Sequence, residues 1–181
     1  MDAQTNVTST GQKIRTVDIT VTAAMAALVF LGTYIFKIPT ISGYVHLGDC
    51  MILLTVALFG MKKGAIAGAI GGGLSDFIGG NFYWVVPTLL IKCMWAIVMG
   101  LIMHKVLKDK KGSFLIGAIA GGVLHIIAYT LVRVVLYGGK TAIIEIPALA
   151  FQTGAGIVIG FVIYMLLKKS GVAGRLSGMV K

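Results

Sequence analysis

Long apolar stretches alternate with short charged or glycine-containing breaks along most of this chain. Cutting the sequence at the breaks gives six apolar segments, at residues 17–36, 47–61, 64–80, 84–107, 113–137 and 142–167. A bilayer-spanning helix needs about 20 apolar residues, within a range of about 17–25. The short second and third segments, separated only by Met61-Lys62-Lys63, indicate a tight helical pair; one kinked span, giving five in all, is the alternative. The pattern therefore predicts an all-α protein with six transmembrane helices.

The composition agrees with a polytopic membrane protein. Hydrophobic residues make up 57% of the 181 residues and charged residues 12%, and the mean hydropathy is +0.96. A soluble domain usually has about 25% charged residues, so this chain has too few charges to cover a water-exposed surface. The formal net charge of +10 would suggest nucleic acid in a soluble protein. In a membrane protein the positions of the cations matter more, and we expect no nucleic-acid partner.

The positive charges predict the orientation. With the N-terminus inside, twelve of the sixteen Lys and Arg residues fall in cytoplasmic segments, and only Lys37 and Lys140 fall in outer loops. Lys and Arg collect on the cytoplasmic side of membrane proteins. We therefore expect both termini in the cytoplasm of a prokaryotic cell and a multi-pass protein in its plasma membrane. The predicted domains are a disordered N-terminus at 1–16, a helical bundle at 17–167 and a basic tail at 168–181.

Polar side chains within the apolar segments concentrate in the predicted outer half of the bundle. A charge at mid-membrane costs roughly 2.5–3.5 kcal/mol, so such residues usually face the bundle interior or a wet cavity and mark function. Helical spacing places most of them on three stripes, one each on the fourth, fifth and sixth segments. We predict an outward-open polar pocket that is lined by Asp76, Trp84, Lys92, Trp95, His125, Tyr129, Arg133, Glu145 and Gln152.

Structural interpretations of the same residues stay open. Asp76 and Lys92 could neutralise each other as a clamp between the third and fourth helices, or both could reach the headgroups. Trp95 could pack in the core or stack on a ligand. His125 could be an interior histidine without a ligand.

The segment KIPTISGYVH, at residues 37–46, differs from an ordinary exposed loop. Pro39 and Gly43 exclude a helix, while most of the other residues are apolar. Burial across the pocket would explain this composition, since lids of this kind exclude water and retain a ligand. We therefore predict a lid loop that adds Tyr44 and His46 to the binding residues.

Small residues at four-residue spacing predict close helix contacts. The third segment has Gly64, Gly68 and Gly72, which we assign to packing inside the bundle. The first segment has Ala23 and Ala27, and this pair could pack internally or meet a partner protein.

Catalytic motifs are missing from the sequence. Gly139-Lys140-Thr141 resembles the end of a phosphate-binding loop, but that motif needs a glycine where Val134 stands. No zinc-binding His pair, no Cys–His metal spacing and no nucleophile with a base is present in the sequence. We expect no enzymatic activity, no cofactor and no metal.

The glycine and aspartate placements in GYVHLGDCMILLTVALFGMKKGAIAGAIGGGLSDFIGG and PTLLIKCMWAIVMG resemble the substrate-binding S components of energy-coupling factor (ECF) vitamin transporters, particularly their riboflavin-type and hydroxymethylpyrimidine-type branches. The resemblance extends from about residue 17 to 167. It implies a vitamin as substrate, and as partners a transmembrane T component and two cytosolic ATPases. It also gives the docking role to Ala23 and Ala27.

A pocket with both signs of charge and several aromatic rings suits a small polar aromatic ring. Hydroxymethylpyrimidine or a pyridoxine-like vitamin fits best, and riboflavin and pantothenate stay open. Two other functions also stay open. The chain could be a self-contained transporter that uses Asp76 or Glu145 as a proton relay, or a membrane scaffold that binds no small molecule.

Overall fold

A computed structural model describes residues 15–41 and 43–179, and these residues are mostly helical. The predicted disordered N-terminus lies outside the described residues except for Arg15 and Thr16, where the first helix begins. The helices are α1 Thr16–Tyr34, α2 Asp49–Phe59, α3 Met61–Ile78, α4 Phe82–Gly100, α5 Ser113–Tyr137, α6 Gly139–Lys169 and α7 Val172–Gly178.

Four helices in the described part of the chain are long and apolar enough to cross a membrane: Thr16–Tyr34, Phe82–Val106, Ser113–Tyr137 and Gly139–Lys169. The second of these joins α4 to a π-helical segment, Leu101–Val106. By contrast, α2 has 11 residues and rises only about 17 Å, roughly half of a 30 Å hydrocarbon core. The chain is thus a helical, multi-pass membrane protein, and the count of six spans stays a prediction.

The helices α2 to α6 form a ring in which each helix packs on the next and α6 returns to α2; α1 packs outside the ring against α3 and α2. Glycines allow the closest of these contacts. A Cβ atom on Gly71 of α3 would lie 2.5 Å from the carbonyl oxygen of Ala26 in α1. Two of the predicted packing glycines, Gly64 and Gly68, face α2, and the third, Gly72, faces α4.

The helical pair α2–α3 turns at Gly60, one residue before the predicted break at Met61. Gly60 has φ +92°, a conformation that residues with a Cβ rarely adopt. Lys62 and Lys63 therefore lie in the first turn of α3. The Lys63 ammonium binds the Asp18 carboxylate of α1 at 3.1 Å and ties these two helices together at this end of the bundle.

The predicted lid loop contains two short β-strands, which the all-α prediction did not include. Strands β1 Ile38–Thr40 and β2 Gly43–Val45 pair antiparallel and form the β-hairpin. Pro39 lies in a two-stranded sheet without disrupting it, because a strand at a sheet edge tolerates proline. The hairpin reaches the bundle through Lys37, whose Nζ lies 4.5 Å and 4.3 Å from the ring centres of Tyr34 and Tyr44.

The predicted basic tail contains α7. The hydroxyl of Ser177 in this helix donates a hydrogen bond of 2.9 Å to the carbonyl oxygen of Leu58, near the end of α2. This contact satisfies one of the last carbonyl groups of α2, which have no partner inside the helix. The tail therefore covers the end of the bundle opposite the β-hairpin.

Candidate functional site

A pocket of about 430 Å³, part of it open to solvent, lies at the β-hairpin end of the bundle. The pocket is lined by Thr33, Tyr44, His46, Asp76, Trp84, Thr88, Tyr129, Arg133, Leu149 and Gln152.

The structure brings seven of the eleven predicted binding residues to this pocket. They come from the hairpin region and four helices, and they are Tyr44, His46, Asp76, Trp84, Tyr129, Arg133 and Gln152. The other four do not line it. Lys92, Trp95, His125 and Glu145 are at most 2% exposed and lie behind the pocket wall. Their predicted contact with a ligand is therefore indirect at most in this conformation.

The interpretation of Lys92 and Asp76 as mutual partners is wrong. Lys92 Nζ binds Asp49 Oδ1 at 2.5 Å, and both side chains are almost fully buried. Asp76 instead accepts a hydrogen bond from the Tyr44 hydroxyl. The Asp76 pairing was an open alternative because α3 precedes α4 directly in the sequence. The short α2, however, places Asp49 between α4 and α6, where it meets Lys92 first.

The buried network around Lys92 has a defined arrangement of protons. His125 Nε2 lies 3.1 Å from Lys92 Nζ, so this nitrogen accepts. His125 Nδ1 therefore carries the proton and donates to Thr153 Oγ1 at 3.1 Å, and Thr153 donates to the Leu149 carbonyl at 2.8 Å. The network links α4, α5 and α6 below the pocket.

Trp95 packs in the core. It is fully buried, its Nε1 donates to the Ala118 carbonyl at 3.1 Å, and its ring lies against Gly121 and His125. Of the two predicted roles of Trp95, core packing and stacking on a ligand, the structure supports core packing.

Gln152 connects the buried network to the hairpin. Its Nε2 donates to Asp49 Oδ2 at 2.7 Å, and its Oε1 accepts from the backbone N–H of His46 at 3.3 Å. The two partners fix the amide orientation, because a carboxylate can only accept and a backbone N–H can only donate. Gly156, one turn further along α6, permits this approach, since a Cβ there would lie 3.0 Å from Asp49 Cβ.

A second set of hydrogen bonds surrounds Asp76 on the opposite wall. The Tyr129 hydroxyl donates to Thr88 Oγ1 at 3.0 Å, and the Thr88 hydroxyl hydrogen-bonds Asp76. The Tyr44 hydroxyl donates to Asp76 Oδ1 at 2.5 Å. A carboxylate that receives these donors keeps further lone pairs for the pocket, so Asp76 offers acceptors to a ligand.

Trp84 lies within an aromatic stack. Its ring centre is 5.5 Å from that of Tyr129 and 6.1 Å from that of Tyr137. These tyrosines are eight residues apart on α5, a rise of about 12 Å, so Trp84 lies between them. Arg133 lies 5.3 Å from the Trp84 ring and 3.9 Å from Glu145 of α6. The Trp84 indole N–H also donates to the Tyr137 hydroxyl at 3.0 Å, which fixes the orientation of its ring. Arg133 adds a cation to the wall.

Ionisable groups outside the helices have shifted pKa values. Burial lowers the pKa of His46 to about 4, although the Asp49 carboxylate opposes this shift. Burial and the Asp76 carboxylate raise the pKa of Tyr44 well above its usual range. Burial also lowers the pKa of Lys37. His46 is therefore neutral and Tyr44 keeps its proton at physiological pH.

Sequence reasoning left Thr33, Asp49, Thr88 and Leu149 out of the site. Asp49 had a signal, since it is a charge at the start of an apolar segment. Thr88 also had one, because it shares a helical stripe with Trp84 and Lys92. Thr33 and Leu149 had no sequence signal, because single threonine and leucine residues are common in membrane helices without any role in binding.

The predicted docking residues lie apart from the pocket. Ala23 and Ala27 are exposed on α1, whereas Ala26 packs against α3. Neither residue contributes to packing inside the bundle.

The fold defines a helical membrane protein with a polar pocket at one end. Residues 13–169 match the family described as ECF-type riboflavin transporter, S component, and the chain belongs to this family. It is thus similar to the substrate-binding subunits of ECF transporters. A curated relative from Pyrococcus woesei, named "Uncharacterized protein in gap 3'region", is 36% identical over 132 residues, which cover 73% of this chain and 87% of the relative.

Proposed function

We propose that this chain binds a small water-soluble vitamin in the pocket under the β-hairpin and delivers it to the rest of an ECF importer. A transmembrane T component and two cytosolic ATPases supply the energy. The observation that carries the proposal is the pocket itself. It offers the acceptor Asp76, the cation Arg133 and several neutral donors, and two hydrogen bonds, Tyr44 to Asp76 and His46 to Gln152, hold the hairpin over it.

We propose riboflavin as the substrate, because the family description names it. A flavin combines a planar ring that has oxo groups with a hydroxylated chain, and the pocket contains donors and acceptors for both. The sequence-based candidates, hydroxymethylpyrimidine and a pyridoxine-like vitamin, form a second option. The polar and aromatic side chains that line the pocket also suit these smaller rings.

The proposed topology has six membrane segments and both termini in the cytoplasm of a prokaryotic cell. Lysines and arginines concentrate at the end opposite the hairpin, in the first turn of α3, the 107–112 turn and the end of α6. Lysines and arginines near the ends of membrane helices collect on the cytoplasmic side. The hairpin and pocket then face outward, where a vitamin to be imported first arrives.

The proposed docking face on α1 contains Ala23 and Ala27. Small side chains let helices approach closely in lipid, and these two are exposed on the outside of the bundle. This placement leaves the pocket free while a T component is bound.

Titration of the purified protein with riboflavin, hydroxymethylpyrimidine, pyridoxine and pantothenate tests the proposal. Saturable binding of one of them, with uptake into liposomes only when the T component and ATPases are added, is the expected result. Uptake by this chain alone under a proton gradient would indicate a self-contained transporter. A folded protein that binds none of the four would contradict the vitamin-binding function.

A further inference from the structure

His46 has a defined tautomer. The backbone N–H of Gly48 donates to His46 Nδ1 at 3.2 Å, so this nitrogen accepts. In a neutral imidazole the proton then belongs to Nε2. His46 lines the pocket, and its Nε2 has no hydrogen-bond partner among the described residues. The ring therefore presents an N–H donor to the pocket.

Gln152 lies beside His46 and has an equally defined orientation. Asp49 forces its NH₂ group to donate, and the His46 backbone N–H occupies its oxygen. An amide nitrogen has two hydrogens, and only one is needed for Asp49. The second has no hydrogen-bond partner among the described residues, and Gln152 also lines the pocket. The buried Lys92 holds Asp49 in place from behind.

We propose that His46 Nε2–H and Gln152 Nε2–H form a two-donor subsite that binds an oxo oxygen on the ring of the substrate. This inference rests on the proposed function and deepens it by defining the substrate class. The subsite selects an oxo-substituted heteroaromatic ring and disfavours a ring that has an amino group at the same place. An amino group would bring its own hydrogens against two donors and leave all of them without acceptors.

Two variants of His46 distinguish loss of the Nε2–H donor from loss of the hairpin structure. An asparagine oxygen replaces the acceptor at the Nδ1 position, so His46→Asn keeps the bond from Gly48 and removes the donor at Nε2. A glutamine amide reaches the Nε2 position, so His46→Gln restores a donor there. Protection of hairpin amides from hydrogen exchange reports whether each variant keeps the closed hairpin.

The test measures binding of riboflavin and of its 2-thio and 4-thio analogues, in which sulfur, a weaker acceptor, replaces one ring oxygen. For the wild-type protein, one analogue should bind about 2- to 12-fold more weakly than riboflavin, the range for one lost neutral hydrogen bond. In His46→Asn riboflavin should weaken by a similar factor, and the difference between riboflavin and that analogue should disappear. His46→Gln should recover part of the affinity.

Three results overturn the inference. One is an equal thio effect in the wild-type protein and in His46→Asn, and another is no thio effect at all. The third is tight binding of the amino-substituted hydroxymethylpyrimidine without riboflavin binding. In each case the protein is still a vitamin-binding subunit. Absence of binding of every vitamin by the folded wild-type protein overturns the proposed function instead.

Discussion

Lys92 and Asp49 form the buried ion pair on which the floor of the pocket depends. Lys92→Met should destabilise the protein by roughly 3–5 kcal/mol, because it leaves the Asp49 carboxylate buried without its cation. Lys92→Met combined with Asp49→Asn should recover most of the loss, since neither remaining group is charged. Thermal unfolding in detergent measures both.

The matched control for this pair is Lys92→Met combined with Asp76→Leu. Asp76 is held by Tyr44 and Thr88, so its removal should not rescue the single variant. Rescue by the Asp76 change, without rescue by the Asp49 change, would contradict the pairing in the structure.

His46 predicts a pH dependence of ligand binding. Its pKa of about 4 in the closed protein lies below the ordinary value of about 6.5. The open or unfolded form therefore takes up a proton first as the pH falls, and the stability of the closed hairpin is lost progressively from about 6.5 towards 4. Affinity measured at several pH values should fall across this window, and less steeply in His46→Gln. Equal pH profiles for the two proteins would show that another group, such as the Asp76 carboxyl that contacts Tyr44, causes the change.

At the scale of elements, the β-hairpin is held to the helices by a few polar contacts. Tyr44→Phe removes the hydroxyl that donates to Asp76. Hydrogen bonds to charged groups contribute about 1.5–3 kcal/mol, so ligand dissociation should accelerate by about 10- to 100-fold. Stopped-flow dissociation measures the effect. Tyr83→Phe is the control, because Tyr83 is 81% exposed; the same acceleration in both variants would show that the Tyr44 hydroxyl does not retain the hairpin.

The first helix should provide the docking surface. Ala23→Leu with Ala27→Leu should reduce co-purification with the T component and leave vitamin binding unchanged, because larger side chains separate the two helices. Ala150→Leu, an equivalent change at an exposed position on α6, should have no effect on assembly. Wild-type yield of the complex from the double variant would exclude this face.

The helices could be predicted from the sequence where a continuous apolar segment sets their length. The segment at 113–137 coincides with α5, because Gly112 and Gly138 bound a continuous apolar run. The β-hairpin and α7 could not be predicted, since each depends on tertiary contacts such as those of Tyr44 and Ser177. The stripes put Tyr129, Arg133 and Gln152 on one pocket, and the structure brings these three residues to its lining. Periodicity gives the face of a helix but not the depth of burial, so it could not show that Lys92 and His125 lie outside the pocket lining.

The whole molecule should have one orientation in the membrane. Gly139→Cys and Ser170→Cys place thiols at opposite ends of α6, both at exposed positions, in a background in which Cys50 and Cys93 are replaced by serine. An impermeant reagent should label Gly139→Cys in intact cells and Ser170→Cys only after lysis. Labelling in the reverse order would place the pocket on the cytoplasmic side.

The proposed vitamin-binding function depends on the pocket under the β-hairpin being the vitamin site. Calorimetric titration of a pocket-filling variant, Leu149→Trp, against the wild-type protein tests this most directly. Leu149 is buried at the pocket wall, whereas Leu131→Trp, on the exposed side of α5, is the matched control. We expect the vitamin to bind the wild-type protein and Leu131→Trp with equal affinity and to bind Leu149→Trp at least about tenfold more weakly, a loss of about 1.4 kcal/mol. Wild-type affinity in a folded Leu149→Trp protein would show that the substrate binds elsewhere.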